Sequence, residues 1–399
     1  MPPSSLSTSS LDHALLGELA ALRDDNLERT LRTVGHRRGA AVRIAGGDAV
    51  DFSSNDYLGL ASDARLVTAM SRSLGEQGVG SGASRLIAGN NPEHEALDAA
   101  LAEHFAAEAA LSFSSGFAAN VGIIPALVGR GDAIFADALN HASLIDGCRL
   151  SRATVHVYPH ADAESLARLL GEHRASFRRA LIVTDGVFSM DGDRAPLAQI
   201  VAAAREHGAW TYVDDAHAVG VVGPLGRGSA ADVGLDGEVD VTVGTLGKAF
   251  GAAGAFVCGS ATLCRYLVNR ARSFVFSTGM LPSQAAAARE ALRIARDEPE
   301  RRARVIANAR LLRASLRAAG IDPLGDDSSH IVPVNVADGD AARTMAVGGA
   351  LAAAGYLVGA VRPPTVPRGT SRLRITVTAA HDDAQIRGLV AQLVRCTST

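Results

Sequence analysis

Residues 241–254 read VTVGTLGKAFGAAG, a run of alternating β-branched residues that ends in a glycine-rich turn. The turn carries one lysine, Lys248, with small residues on both sides, so a bulky group can approach the backbone closely. Lysine is rare in this chain and arginine is common. A lysine in an apolar glycine loop is partly desolvated. Desolvation lowers its pKa and frees a neutral amine for Schiff-base formation, most familiarly with pyridoxal phosphate. The alternative is a surface lysine in a strand-end loop, and this stretch alone does not decide between them.

Length, net charge and cysteine content predict a cytoplasmic protein with more than one domain. Its 399 residues are enough for one large domain and a smaller one. The net charge of −3 comes from scattered acids and bases, which argues against nucleic acid or a membrane surface as a partner. The four cysteines lack metal-ligand spacing and are expected to be reduced thiols. Residues 1–10 have neither a basic region nor an apolar run, so they predict a disordered tail and no signal peptide.

An alternation of strand and helix patterns predicts an α/β fold with a largely parallel sheet. Residues 78–89 predict a glycine-rich loop, and residues 214–239 an irregular crossover. Residues 283–319 predict one long or broken helix that links two domains. The other predicted helices are 11–31, 92–105, 116–128, 163–171, 196–207, 261–271, 340–354 and 382–396, and the predicted strands are 49–53, 109–113, 133–136, 154–158, 180–184, 210–214, 239–245, 253–258, 331–336 and 372–378.

Three of these strands end in chemically active residues at the spacing of one strand–helix–strand unit. They lead into Ser189, into Asp214 and His217, and into Lys248. These side chains are expected to meet at the carboxyl edge of one sheet, where ligands bind in open α/β folds. Asp214 could pair with a pyridine nitrogen and His217 could meet the phenolic oxygen of the ring. A simple helix cap is the alternative for Asp214.

A phosphate group would need donors, and a strand-to-helix turn could supply them. Ser115, Gly116 and Phe117 stand where a helix begins, so their free N–H groups and the helix dipole predict an anion site. The Thr245 hydroxyl could add a contact. His141 could stack on the cofactor ring, although an ordinary exposed histidine is equally compatible with its local sequence.

Several motifs together resemble those of the α-oxoamine synthases, which are fold-type-I pyridoxal-phosphate enzymes. The resemblance covers residues 11–395, and the motifs occur in family order. They are Ser53-Ser54-Asn55-Asp56-Tyr57-Leu58-Gly59, Gly80-Ser81-Gly82-Ala83-Ser84-Arg85, Val187-Phe188-Ser189-Met190-Asp191-Gly192-Asp193, Asp214-Asp215-Ala216-His217 and Thr245-Leu246-Gly247-Lys248.

The resemblance implies a decarboxylative condensation of an amino acid with an acyl thioester, carried out by a homodimer with shared active sites. It implies a mainly parallel seven-stranded sheet in a large domain (53–282), with a smaller α+β domain (283–399) against which residues 11–52 pack. The implied catalytic residues are Lys248, His141, Asp214 and His217. Those implied to bind the cofactor also include Ser189, Thr245, Ser115, Gly116 and Phe117, with Ser277 and Thr278 reaching the phosphate of the neighbouring subunit; Arg32, Asn55 and Arg362 are implied to bind substrate.

Arg362, in the motif Arg362-Pro363-Pro364-Thr365-Val366-Pro367, is most like the members that condense L-alanine with a pimeloyl thioester in biotin synthesis. An arginine there could hold the substrate α-carboxylate through two hydrogen bonds. The acyl carrier, coenzyme A or acyl carrier protein, stays open. Other readings are a sibling that uses glycine or serine, an aminotransferase, or a non-catalytic partner subunit. Two residues depart from the family pattern: Asp185 replaces a frequent glutamate, and Ala218 replaces a usual glycine.

Overall fold

The structure is a computed structural model that describes residues 9–397, so residues 1–8 of the predicted tail lie outside it. Two short 3-10 turns occupy Arg174–Ser176 and Pro224–Gly226. The helices are α1 (Ser10–Asp24), α2 (Ala64–Gln77), α3 (Pro92–His104), α4 (Gly116–Leu127), α5 (Ala142–Ser151), α6 (Ala163–His173), α7 (Leu197–His207), α8 (Ser229–Asp232), α9 (Ala261–Arg270), α10 (Arg272–Val275), α11 (Pro282–Asp297), α12 (Pro299–Ala318), α13 (Ala341–Ala353) and α14 (Asp383–Thr397).

The described strands form three sheets. They are β1 (Gly35–Arg38), β2 (Ala41–Ile44), β3 (Gly47–Asp51), β4 (Ala109–Phe113), β5 (Ala133–Asp137), β6 (Thr154–Tyr158), β7 (Ala180–Asp185), β8 (Trp210–Asp214), β9 (Val241–Thr245), β10 (Ala255–Gly259), β11 (Ile331–Val334), β12 (Tyr356–Leu357), β13 (Gly359–Val361) and β14 (Arg372–Thr376). The largest sheet has seven strands in the order β4-β10-β9-β8-β7-β5-β6. Only β10 runs antiparallel to its neighbours in that sheet, which confirms the predicted fold class.

The seven-stranded sheet is buried between two layers of helices. Every residue of β5 and β7 is buried, as expected of parallel strands covered on both faces. Apolar residues of α4, α5 and α9 pack on one face, and those of α6 and α7 on the other. The sheet is therefore a rigid base, and its carboxyl edge is left for chemistry.

Two smaller sheets complete the chain. One has the strand order β11-β14-β13 and packs with α12, α13 and α14. The other has the order β1-β2-β3-β12, so the parallel pairing of β3 with β12 joins the N-terminal segment to the C-terminal part of the chain. None of the described helices is long and apolar enough to span a membrane.

Some element predictions were wrong in their bounds. The predicted helix 11–31 ends at Asp24, where Asn26 adopts a positive φ of 58° that helical backbone excludes. The predicted 283–319 segment, by contrast, is confirmed in its broken form, because Pro299 cannot continue α11 and begins α12 instead. Helices α2 and α5 and the hairpin β1–β2 had no prediction.

Candidate active site

The predicted functional residues at the sheet edge follow three adjacent strands. Strands β7, β8 and β9 are parallel neighbours, and Asp185 lies in register with Asp214. Parallel strands end at the same edge, so Asp185, Asp214 and the turn after Thr245 meet there. Lys248 lies three residues after the end of β9 and begins a tight turn, in which the Gly251 N–H donates to the Lys248 carbonyl.

Lys248 and His217 are in direct contact. Nζ of Lys248 lies 2.8 Å from Nε2 of His217, and the Tyr57 hydroxyl lies 2.7 Å from Nδ1 of the same ring. Burial lowers the pKa of Lys248 to about 8, against the opposing effect of the Asp214 and Asp185 carboxylates. Burial also holds the pKa of His217 well below its ordinary value, with the positive charge of Lys248 adding to the effect. His217 is therefore neutral near pH 7, and Lys248 loses its proton far more readily than an ordinary lysine does.

Asp214 is held by hydrogen bonds to both of its oxygens. Its Oδ2 accepts from Nδ2 of Asn120 over 2.7 Å, and its Oδ1 accepts from the Ala216 N–H over 3.1 Å. The carbonyl oxygen of Asn120 in turn accepts from the Tyr212 hydroxyl over 2.6 Å. Asp214 is 5% exposed. A buried carboxylate oriented in this way is suited to pair with a protonated ring nitrogen.

His141 is tied to the Asp185 carboxylate through its backbone. It precedes α5, its N–H donates to Oδ2 of Asp185 over 2.7 Å, and its Nδ1 lies 2.7 Å from the Ser143 hydroxyl. Burial beside Asp214 raises the pKa of Asp185 well above its ordinary value, and burial lowers that of His141. Asp185, one of the two departures from the family pattern, therefore has a positioning contact. The other, Ala218, does not need the left-handed backbone that favours glycine.

The predicted anion site is formed where α4 begins. Ser115 is the N-cap, and its hydroxyl accepts from the Ala118 N–H over 3.1 Å. The N–H groups of Gly116 and Phe117 precede the hydrogen-bonding ladder of the helix. A Cβ on Gly116 would lie 2.9 Å from Cγ2 of Thr245, so the absence of a side chain lets the two segments meet. Ser115, Gly116, Phe117 and Thr245 thus share one end of the site.

Arg374 is a site residue that sequence reasoning missed. It is 7% exposed, and both of its terminal nitrogens donate to Oδ1 of Asn55 over 3.2 Å. Its Nε donates to the carbonyl of Ser189. Its positive charge also lowers the pKa of Lys248, although burial is the larger cause. The alternation Arg372-Leu373-Arg374 was visible in the sequence, but nothing local indicated that the second arginine reaches the sheet edge.

Comparison with known proteins agrees with this arrangement. The model of the family "Aminotransferase class I and II" matches residues 47–393. A protein of Alkalilimnicola ehrlichii named 8-amino-7-oxononanoate synthase is 50% identical over 390 residues, which cover 97% of this chain and 98% of that protein. This chain is an α-oxoamine synthase of the class I and II aminotransferase family.

Further relatives of the synthase share its fold and length. A Geobacter sulfurreducens protein, also named 8-amino-7-oxononanoate synthase, is 49% identical over 388 residues, covering 96% of this chain and 98% of that protein. Serine palmitoyltransferase from S. paucimobilis, solved with bound PLP, has a TM-score of 0.91 at 31% identity, with 98% of each chain covered. The 8-amino-7-oxononanoate synthase of Francisella tularensis has a TM-score of 0.75 at 28% identity, covering 87% of this chain and 97% of that one.

The residues of the synthase site fit pyridoxal phosphate. The ring nitrogen needs an anionic partner, which Asp214 can supply, and the aldehyde needs an amine, which Lys248 can supply. The phosphate needs N–H donors, which the start of α4 presents beside Thr245. Each polar end of the group thus has a counterpart of the right chemistry at this edge.

Of the two arginines predicted to bind substrate, Arg362 is buried and Arg32 is exposed in the synthase. Arg362 is 9% exposed and donates to the Glu28 carbonyl over 2.6 Å. Arg29, not Arg32, joins this segment, because its Nη2 donates to the Thr365 hydroxyl over 2.9 Å. Within residues 9–397, the exposed Arg32 has no hydrogen bond or ion pair. The structure thus brings Arg362 and Arg29 together and leaves Arg32 apart.

Ser277 and Thr278 lie beside another part of the same chain. Thr278 pairs with Ser84, and both Ser277 and Thr278 line a small cleft with Ser114. The neighbouring Phe276 is 72% exposed. The surface from which Ser277 and Thr278 are predicted to contact a second subunit therefore carries an exposed aromatic ring.

Proposed function

We propose that this synthase condenses L-alanine with a pimeloyl thioester to give 8-amino-7-oxononanoate, carbon dioxide and free thiol in biotin synthesis. The observation that carries the proposal is the 50% identity over nearly the full length to a protein named for this product. Backbone superposition favours serine palmitoyltransferase, with a TM-score of 0.91. Sequence identity is given more weight here, because substrate choice resides in side chains and not in the fold.

The proposed cofactor is pyridoxal phosphate, and different residues at the sheet edge would bind different parts of it. When bound, it supplies an aldehyde that condenses with amines and a ring that withdraws electrons from the substrate α-carbon. Lys248 would hold the aldehyde, Asp214 the ring nitrogen, and Ser189 and His217 the phenolic oxygen. His141 would cover the ring, and Ser115, Gly116, Phe117 and Thr245 would surround the phosphate.

Lys248 is also the proposed base for the α-proton of alanine. Its amine has a pKa lowered to about 8, so far more of it carries a lone pair at neutral pH than in an ordinary lysine. His217 lies 2.8 Å from Nζ, so the amine has a hydrogen-bond partner in the buried site. The same amine can return the proton after carboxylate loss, which keeps the exchange at one nitrogen.

We assign the α-carboxylate of alanine to Arg374 in preference to Arg362. The Arg374 guanidinium donates to Asn55, and its positive charge contributes to lowering the pKa of both Lys248 and His217. Arg362 instead lies near Arg29. Burial is the larger cause of the lowered Arg362 pKa, and the positive charge of Arg29 lowers it further. This second pair of arginines suits the free carboxylate at the far end of a pimeloyl chain. Arg32 stays a weaker prediction for the same end.

A homodimer is part of the proposal. Large apolar side chains are exposed near Ser277 and Thr278, with Ile87 at 82% and Phe276 at 72%. Helix α1 has no buried residue although it carries five leucines. Such patches are typical of surfaces that a partner covers. A cytoplasmic location is also proposed, supported by four free cysteines.

The test is thiol release from pimeloyl-CoA with L-alanine, glycine and L-serine in parallel. We expect fast release with L-alanine alone, and no turnover by the Lys248→Ala variant. Faster release with serine or glycine would instead assign the chain to a sibling synthase, as the similarity to serine palmitoyltransferase allows. Transfer to a 2-oxo acid without carbon dioxide would indicate an aminotransferase, and purified protein that binds no cofactor would indicate a non-catalytic subunit. Replacing pimeloyl-CoA with a pimeloyl acyl carrier protein identifies the carrier.

A further inference from the structure

The hydroxyl of Tyr57 has two possible acceptors in the buried centre of the site. It lies 3.1 Å from Oδ1 of Asn55 and 2.7 Å from Nδ1 of His217. Oδ1 of Asn55 already accepts N–H groups from both terminal nitrogens of Arg374. Because guanidinium nitrogens only donate, this orientation of the Asn55 amide is required. The single Tyr57 proton is therefore directed to Nδ1 of His217, the nearer atom.

A proton donated to Nδ1 decides what the other ring nitrogen does. His217 is buried and its pKa is well below the ordinary value, so the ring is neutral and carries one hydrogen. With Nδ1 accepting, that hydrogen is on Nε2 and points at Nζ of Lys248, 2.8 Å away. An ammonium group has no lone pair to accept it. A neutral amine has one.

We propose that Tyr57 is a positioning residue that fixes the His217 tautomer and thereby favours the neutral amine form of Lys248, which can capture the cofactor aldehyde. In that capture the amine nitrogen forms a bond to the aldehyde carbon, the carbonyl oxygen leaves as water, and an ammonium could not begin the step. The proposal rests on Lys248 being the cofactor lysine and not on which substrates the synthase takes.

Other charged and titratable groups also face this pair. Asp214 and Asp185 favour the ammonium form of Lys248, whereas Arg374 favours the amine. His330 packs edge-on against Tyr57 with 4.1 Å between ring centroids, and neither of its ring nitrogens has a hydrogen-bond partner within the described chain. Burial lowers the pKa of His330 to about 3, so it adds no charge near pH 7. His141 acts on His217 in the same direction as Lys248.

The sequence makes this amine measurable, because Lys248 is the only lysine among the 399 residues. Full-length protein freed of cofactor, with its fold checked by circular dichroism, is labelled with a trace of acetic anhydride across pH 6–10. Mass spectrometry of the peptide that contains Lys248 gives the midpoint of amine reactivity. We expect a midpoint near the value of about 8 given by burial. In Tyr57→Phe, His217 can reverse its tautomer and accept from the ammonium, so labelling at pH 7 should slow about tenfold.

Two controls separate this role from a general effect of removing a buried hydroxyl. Tyr158→Phe removes the hydroxyl of another buried tyrosine, at the end of β6, and should leave the midpoint unchanged. In a His217→Asn background, Tyr57→Phe should add nothing if it acts through His217. An unchanged midpoint in Tyr57→Phe, or a full shift that persists in the His217→Asn background, would overturn the proposal.

A second measurement covers the case in which Tyr57→Phe does not fold. The ring nitrogens of His217 in the cofactor-free wild-type chain are observed by ¹⁵N NMR, with the signal assigned by its loss in His217→Asn. Hydrogen on Nε2 and a bare Nδ1 support the proposal. Hydrogen on Nδ1 contradicts it.

Discussion

Nε2 of His160 lies 2.7 Å from a carboxylate oxygen of Asp193, so a histidine after β6 holds the loop that follows β7. The other ring nitrogen, Nδ1, lies 3.0 Å from Oδ1 of Asp137 at the end of β5. The held loop carries Ser189, and its Asp191 forms an ion pair with Arg372 of the C-terminal sheet. The loop is therefore held at Asp193 by His160 and at Asp191 by Arg372 of β14.

This contact predicts an alkaline loss of stability. The two carboxylates raise the pKa of His160 to about 10 from an ordinary value of 6.5. The stabilisation is complete below pH 6.5 and is lost as the pH rises through about 10, because the folded state must then give up the proton that it binds more tightly. His160→Gln should lower the free energy of unfolding by about 2 kcal/mol at pH 6.5 and by less at pH 10. Denaturant midpoints at both pH values measure this. The exposed His13→Gln is the control, and an equal loss at both pH values would contradict the ionic role.

A second prediction concerns Asn120. Asn120→Ala removes the donor to Asp214 and the acceptor of the Tyr212 hydroxyl, both buried. We expect a loss of about 1–3 kcal/mol in stability together with weaker retention of pyridoxal phosphate. Thermal unfolding and cofactor absorbance after dialysis measure the two effects. Asn269→Ala, which removes a surface bond to the Arg265 carbonyl, should change neither, and undiminished cofactor retention in Asn120→Ala would argue against the assigned role of Asp214.

A third prediction tests whether Arg374 binds the α-carboxylate of alanine. Arg374→Lys keeps the charge but loses the fork that contacts Asn55. The KM for L-alanine should rise about tenfold to hundredfold, while the KM for the thioester changes little. Steady-state kinetics with each substrate varied in turn measures this. Arg168→Lys, on the exposed face of α6, serves as the control, and a rise confined to the thioester would reverse the assignment.

A fourth prediction addresses Arg362. Arg362→Leu removes the positive charge beside Arg29, so the KM for a pimeloyl thioester should rise about tenfold. The KM for an octanoyl thioester, which has no free carboxylate, should hardly change. An equal effect on both thioesters would show that Arg362 only supports the Glu28 segment, to whose carbonyl it donates.

A fifth prediction tests the phosphate end of the site. In Gly116→Ala the new Cβ would lie 2.9 Å from Cγ2 of Thr245, so cofactor affinity should fall about tenfold. Adding Thr245→Ser removes that methyl group, keeps the hydroxyl and should restore most of the affinity. Fluorescence titration with pyridoxal phosphate measures both. Gly75→Ala, which meets nothing within 4 Å, should bind normally; failure of the double variant to recover would contradict the steric explanation.

Local patterns predicted most elements that surround the site. The strands 109–113, 154–158 and 210–214 were predicted with the bounds that the structure has. Helix α5 was not predicted. It begins directly after His141, and its ten residues give little periodicity. Helix α1 was predicted too long, since polar spacing continues past Asp24 while the backbone turns away.

The sequence by itself determined the α/β class, and it predicted that Lys248, Asp214 and His217 meet at the carboxyl edge of the sheet. These follow from short-range information: periodicity, glycine turns and polar residues at strand ends. Only the tertiary structure decided that Tyr57 meets His217, 160 positions away, and that Arg374 meets Asn55, 319 positions away. Such pairs depend on how separately folded segments pack together, and no local pattern in one segment records the position of the other.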